Sequence, residues 1–354
     1  MTILNDQAIC QVLVIQQYKM QLFGNLPEND FKELCNKSMG LIKELEYVNF
    51  VVVGASGFLG RWLSTFLAFM ESNSSFKASI TIIVRDLNSM SELKSVSEFK
   101  TLRIIETSQI EAEDYSYFTD ARTIIFFAAT STKLSGIPLT HPNNSATNLA
   151  QRIIDSLPKR NITFVHLSSG GIYHPMARQL QKIPSDFRIQ QNSQDQYIYE
   201  KIKIEEWSKQ AEESGILTAR NPRLFSFYGP GLDLDRHYAI GEFMRLGKSG
   251  NSIVIKGRPD NLRSYLYPTD AIFQLLLQCS VEVPQFSQIG SAHAVSILET
   301  ALIIGEFYNV KVEVDLVHSM EIDNYVPSDV YLVQERSLIA GIMQWERWLS
   351  RRIN

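Results

Sequence analysis

Residues 51–60 read Val-Val-Val-Gly-Ala-Ser-Gly-Phe-Leu-Gly, and no other stretch restricts the fold as much. Three β-branched residues in a row suit the end of a strand buried on both faces. Gly54, Gly57 and Gly60 recur at every third position, and Trp62-Leu63-Ser64-Thr65-Phe66-Leu67 then opens a helical pattern. A strand that turns into a helix here aims backbone N–H groups and the positive helix end at one spot, which suits a phosphate. Gly54 permits the tight turn, Gly57 the approach of a pyrophosphate, and Gly60 the close packing of helix on sheet. Ser56, Phe58 and Leu59 belong to the same cradle. A Gly-rich turn with no ligand is the plainer alternative, and the strand–turn–helix setting weighs against it.

Ile80–Val84 reads as a second buried strand, and Arg85-Asp86 ends it. This position chooses the cofactor. An acid there bonds the ribose 2′-hydroxyl of NAD, whereas an Arg accommodates the 2′-phosphate of NADP. Arg85 favours NADP, and Asp86 keeps NAD open. Leu102–Ile105 and Thr123–Phe127 supply two more strands. Ala128, Ala129 and Thr130 end the latter with small residues that let a backbone approach the cofactor. Leu149, Ile153, Ile154 and Leu157 recur at helical spacing, and Ile162–Leu167 is a fifth strand. Ser168-Ser169-Gly170-Gly171 sits at its C-terminal end, the edge at which open parallel sheets bind ligands.

Strands alternate with helices from residue 47 to about 225, the pattern of an α/β, Rossmann-type doubly wound parallel sheet. Residues 226–354 are more mixed and read as a smaller substrate lobe. Residues 1–46 precede the first strand. Phe31, Leu34, Cys35, Ser38, Leu41, Ile42 and Leu45 mark an amphipathic helix there, expected to cover one edge of the sheet.

A net charge of −4 over 354 residues argues against nucleic acid as a partner. Cys10, Cys35 and Cys279 share no metal-ligand spacing and cannot all pair, which fits a reducing, cytoplasmic compartment. The six histidines form no short-spaced ligand pair, so no metal is expected. No apolar run reaches the roughly 18 residues of a membrane span, and no signal-peptide pattern opens the chain.

The chemistry is concentrated in Tyr197-Ile198-Tyr199-Glu200-Lys201-Ile202-Lys203. Residues four apart share a helix face, which pairs Tyr197 with Lys201 and Tyr199 with Lys203. A phenol titrates near 10, too high for ready proton exchange at neutral pH. A neighbouring ammonium and a positive nicotinamide ring would lower that value and make the phenol an acid–base catalyst for an alcohol. Ser169 can bond the same substrate oxygen. Spacing alone does not choose between the two pairs.

With these pieces in place, the chain resembles the extended short-chain dehydrogenase/reductase family, in its NAD(P)-dependent nucleotide-sugar epimerase/dehydratase group. Gly54–Gly60 is similar to the family's cofactor turn. Phe127-Ala128-Ala129 is similar to its Leu-Ala-Ala strand end, and Ser168–Tyr173 to its Ser-Ser-x-x-Val-Tyr segment. The family's Tyr-x-x-x-Lys-x-x-x-Glu falls on Tyr197, Lys201 and Glu205, which selects Tyr197 over Tyr199. The resemblance implies a catalytic set of Ser169, Tyr197 and Lys201, with Phe225 bordering the cofactor. Arg223–Pro230 is similar to Arg-x-x-Asn-Val-Tyr-Gly-Pro, with Ser226 in the Asn place. Arg263–Asp270 is similar to Arg-Asp-Phe-x-Tyr-Val-x-Asp, which implies that Arg263 clamps the nucleotide diphosphate. Gly170, Ser226 and His237 are the remaining substrate-side candidates. His166, inside a strand, reads as a core histidine. A homodimer packed through the helix bearing Tyr197 and the one beginning near Asn144 is also implied.

Dehydratases of the group carry an Asp-Glu pair directly after the catalytic Ser or Thr, because elimination needs its own acid and base. Here those places hold Gly170 and Gly171. What remains is hydride transfer at the sugar C4, by an epimerase or a ketoreductase. A dehydratase with an atypical site and a non-catalytic NADP-binding sensor or scaffold are the alternatives.

Overall fold

The computed structural model describes residues 26–73, 76–85, 102–110, 121–130, 145–157, 161–191, 193–234, 238–280, 282–315, 321–331 and 333–351. Its centre is a parallel sheet. The main strands are β1 (Asn49–Val53), β2 (Ser79–Val84), β3 (Leu102–Glu106), β4 (Thr123–Phe127) and β5 (Ile162–His166). The short β6 (Ser168–Ser169) and β7 (Thr218–Leu224) follow. In space the order is β3, β2, β1, β4, β5, β7 and finally the strand Phe286–Ile289, with β6 paired to the end of β7. The chain runs outward from β1 to β3, then returns to β4 on the other side of β1. The crevice between the C-terminal ends of β1 and β4 is therefore the switch point at which ligands bind in such sheets.

Strand period sorts the side chains to two faces. Phe50, Val52, Ile80, Ile82, Ile124 and Phe126 join one core, under the helices Glu28–Glu44, Phe58–Asn73 and Pro268–Leu277. Val51, Val53, Ile83, Ile125, Phe127 and Phe164 join the other, under the helices Ala146–Ser156 and Gln196–Glu213. Both faces are covered, so the strands read as continuous apolar runs.

The helix Glu28–Glu44 corrects one expectation. It packs on the helices Phe58–Asn73 and Pro268–Leu277 over a face of the sheet, instead of along an edge strand. The physical reason is its aromatic stripe: Phe31 meets Trp62, Phe66 and Phe69, which all lie on that face. Ionic contacts fix the register. Arg336 pairs with Asp30 at 3.0 Å, Lys37 with Asp270 at 2.5 Å, and Tyr267 donates to Asp30 at 2.6 Å.

After residue 225 the chain builds a third core around Tyr228, Phe243, Met244, Ile253 and Trp345. Its helices are Ala239–Lys248, Ile297–Tyr308 and Leu338–Arg351. The helix Pro268–Leu277 and the strand Phe286–Ile289 return to the central sheet between them. Among the described residues, no helix is long and apolar enough to cross a membrane.

Candidate active site

The Gly-rich turn lies at the switch crevice. Gly54 follows β1 with φ +84°, and its N–H donates to Ile83 in β2. A Cβ on Gly54 would fall 2.9 Å from the carbonyl carbon of Ala128 at the end of β4. One on Gly60 would fall 2.3 Å from the Gly54 oxygen. Strand, turn and helix thus close on one another only because these side chains are missing. Ser56 and Gly57 remain exposed at the start of the helix, Phe58 is half-buried and Leu59 buried. The first amides of a helix have no carbonyl partner within it. This open, amide-lined turn fits the pyrophosphate of a dinucleotide. Ala128, Ala129 and Thr130 are half-buried beside it, and Arg85 is exposed just beyond β2. Asp86 and His237 lie outside the described residues.

Ser169 and Tyr197 meet. Ser169 ends the sheet line next to Leu224, and Tyr197 stands in the first turn of the helix Gln196–Glu213. Asp195 caps that helix by accepting from the Tyr197 N–H at 2.8 Å. The two side chains lie close enough to influence each other, and Ser169 Oγ accepts from the Gly171 N–H at 3.0 Å. Lys201 lies one turn along, with its Nζ 5.6 Å from the centre of the Tyr197 ring. It is buried and donates to the Leu167 carbonyl at 2.6 Å.

The helix resolves the ambiguity between the overlapping pairs. Tyr197 and Lys201 face the sheet end, whereas Tyr199 is exposed and Lys203 pairs outward with Glu206 at 2.7 Å. The expected lowering of the phenol is not seen in the protein alone. Burial pushes Tyr197 above the usual tyrosine range, and the nearby Ser169 hydroxyl only partly opposes it. Burial also brings Lys201 down to about 8, against the pull of Glu200 and Glu205.

Three features around this pair are structural. Glu205 accepts from Arg223 at 2.9 and 3.2 Å and from Ser168 at 2.6 Å, all within the interior. His166 is buried and neutral, held well below the usual histidine range by desolvation first and then by the Lys201 charge. Its Nδ1 contacts Asn221 at 3.2 Å, while Nε2 has no partner. Ser226 pairs through the backbone with Tyr265 and is half-buried.

Arg263 differs from expectation in its partners. Its guanidinium binds Asp323 at 2.8 Å and also donates to the Leu262 and Asp323 carbonyls. Arg178 shares the same carboxylate at 3.1 Å. A diphosphate at Arg263 would compete with an acid already in place.

Sequence reasoning missed Tyr325. Its hydroxyl lies beside Ser169 and donates to the Leu224 carbonyl at 3.2 Å. Its ring lies 4.6 Å from that of Phe225 and 4.0 Å from the Arg178 guanidinium. Phe225 is accordingly buried beneath Tyr325 and Tyr173. Tyr238 lies within electrostatic reach of both Tyr197 and Tyr325. No spacing ties Tyr325 to Ser169 along the chain, so no sequence signal could have found it.

The glycines after Ser169 form a tight turn, Gly170–Ile172. A Cβ on Gly170 would lie 2.9 Å from the Tyr325 hydroxyl and 3.0 Å from the Phe225 ring. One on Gly171 would lie 2.8 Å from Ile198 Cδ1. An acid and base at these two places would have to displace the Tyr325, Phe225 and Ile198 side chains.

Comparison with known proteins agrees with this fold. The model of the NAD dependent epimerase/dehydratase family matches residues 50–284. The fold is similar to that of the UDP-N-acetylglucosamine 4-epimerase from Methanobrevibacter ruminantium M1, solved with UDP-N-acetylmuramic acid. The TM-score is 0.69 at 19% identity, over 87% of this chain and 99% of that one. The UDP-glucuronic acid 4-epimerase from Bacillus cereus, solved with UDP-glucuronic acid and NAD, gives 0.65 at 15% identity, over 86% and 99%. TunA, an NAD dependent NDP-hexosamine 5,6-dehydratase of tunicamycin biosynthesis, gives 0.62 at 14% identity, over 87% and 99%. Among curated protein sequences nothing matches.

Proposed function

The chain belongs to the NAD dependent epimerase/dehydratase family, and from that premise we propose that it moves a hydride at C4 of a nucleotide-linked sugar, as a 4-epimerase or a 4-ketoreductase. The observation that carries this reading is the gathering of the Ser169 and Tyr197 side chains with Lys201 behind them, at the same sheet edge as the Gly-rich cradle. A bound nicotinamide dinucleotide would accept or supply the hydride. Gly54, Ser56, Gly57, Phe58, Leu59 and Gly60 would hold its pyrophosphate, and Ala128, Ala129 and Thr130 would border it. Phe225 is a further candidate neighbour. Arg85 would meet a 2′-phosphate, which favours NADP over the NAD named with the similar structures.

The side chains then divide the work. Tyr197 takes the proton of the sugar hydroxyl and can return it. Ser169 holds the same oxygen and keeps it in line with the phenol. Lys201 adds positive charge beside a phenol that burial makes reluctant to ionise. Arg263 would reach the diphosphate, and Gly170, Ser226 and His237 would line the sugar. Gly170 and Gly171 offer neither acid nor base, so the sugar would keep its hydroxyls through the cycle. A groove lined by Thr147, Tyr199, Lys203 and Trp207 on the outer side of the Tyr197 helix would seat a second copy, giving a homodimer.

The test is turnover of UDP-, dTDP- and GDP-hexoses with NAD(H) and NADP(H), followed by NMR of the products. Tyr197→Phe should lower kcat by about 10²–10⁴-fold while leaving cofactor affinity intact. Full activity in that variant would remove Tyr197 from the chemistry. Tight dinucleotide binding with no turnover of any sugar would instead favour the sensor or scaffold.

A further inference from the structure

Tyr325 reaches the proposed catalytic centre from the far lobe. Its backbone N–H donates to the Leu262 carbonyl at 2.8 Å, and its own carbonyl accepts from Ser264 at 3.3 Å. The ring is held by Phe225, in a tilted aromatic pair, and by Arg178, in a cation–π contact. The hydroxyl then has little freedom. It gives its hydrogen to the Leu224 carbonyl, and its oxygen lies beside Ser169. A phenolic oxygen has two lone pairs, so one acceptor place remains. Tyr197 and Tyr325 each keep some exposed surface, while Ser169 between them is buried. Two phenols therefore flank one serine at the proposed sugar site.

That arrangement matches a vicinal diol. If one sugar hydroxyl lies on Ser169 and Tyr197, an oxygen on an adjacent carbon would come within reach of Tyr325. The missing side chain at Gly170 makes this possible, since a Cβ there would collide with the Tyr325 hydroxyl. We propose that Tyr325 is a substrate-contacting, specificity-determining residue, whose phenol accepts a hydrogen bond from the free 3-hydroxyl of the sugar and selects hexoses that carry one. The proposal rests on the C4 reading above. It predicts discrimination against 3-deoxy sugars, because a site built to bond a hydroxyl binds poorly when the hydroxyl is absent.

The test compares kcat/KM for the nucleotide-linked hexose that the wild type converts and for its 3-deoxy analogue, in wild type and Tyr325→Phe. Phe keeps the ring against Phe225 and Arg178, so the variant should fold. The wild type should prefer the hydroxylated sugar by about 100-fold or more. Tyr325→Phe should lose most of that preference, because the cycle then removes both partners of one hydrogen bond. The same coupling should appear in Kd values measured in a Tyr197→Phe background, where turnover is slow. The acid limb of the pH–rate profile should also move to lower pH in Tyr325→Phe, since Ser169 is then free to donate to Tyr197 alone. An equal preference in both proteins would overturn the proposal while leaving the C4 reading intact. A wild type that converts no nucleotide sugar would defeat that reading, and this proposal with it.

Discussion

Arg263 and Asp323 form an ion pair at 2.8 Å, so the guanidinium that the sequence offers to a diphosphate is already engaged. Both side chains keep access to solvent, which limits what the pair contributes to stability. Its consequence lies in binding. Arg263→Ala should raise KM for a nucleotide sugar by about tenfold or more, through the loss of a charge-assisted, bidentate contact. Asp323→Asn should act in the opposite direction and lower KM, because the guanidinium no longer has to leave a carboxylate. Steady-state kinetics on the two variants checks both signs.

Lys201 carries a pH signature. Folding lowers its proton affinity from 10.5 to about 8, chiefly by burial. The unfolded chain therefore binds the extra proton between those values, and the contribution of this residue to stability rises as pH climbs from about 8 toward 10.5. Activity should run the other way and decline above pH 8 as the ammonium is lost. Lys201→Met should abolish most turnover, and it should melt above the wild type at pH 7. That gap should narrow as pH rises to 10. A constant gap would show that the lysine is not held at a reduced proton affinity.

Gly60 tests the cradle. Any side chain there meets the Gly54 oxygen at 2.3 Å, a backbone atom that cannot swing aside. Gly60→Ala should therefore shift the turn and weaken dinucleotide affinity by at least tenfold. Titration of NADPH fluorescence would measure it. Unchanged affinity would mean that this turn does not hold the pyrophosphate.

Glu205 and Arg223 form the buried pair beneath Ser168. Removing one partner leaves the other charged and desolvated, at a cost of about 3–5 kcal/mol. Glu205→Ala and Arg223→Ala should each reduce stability on that scale in denaturant titrations. Cofactor affinity per folded molecule should change little.

The parts legible in the sequence are those written in short-range patterns. The five apolar strands and the glycine turn need only neighbours to be read, and the fold places them in one sheet around one crevice. The Tyr-x-x-x-Lys spacing was readable but degenerate, since Tyr197–Lys201 and Tyr199–Lys203 both satisfy it. Only packing against the sheet end separates them. Tyr325 and Asp323 were invisible for a different reason. They act on Ser169 and Arg263 through a chain reversal, and no periodicity crosses such a distance. In the protein alone Tyr197 is pushed above the usual tyrosine range, because spacing reports the nearby ammonium but not the burial that outweighs it; the positive nicotinamide ring is the other half of the expected lowering.

The tie between Asp30 and Arg336 has a consequence for biosynthesis. The helix Glu28–Glu44 leaves the ribosome early, and Phe31 can settle on Trp62 and Phe66 soon afterwards. Asp30 nevertheless gains neither Tyr267 nor its counter-ion until translation has passed residues 267 and 336. The nascent chain would hold this helix loosely, and the last lobe to emerge would be the one that fastens it.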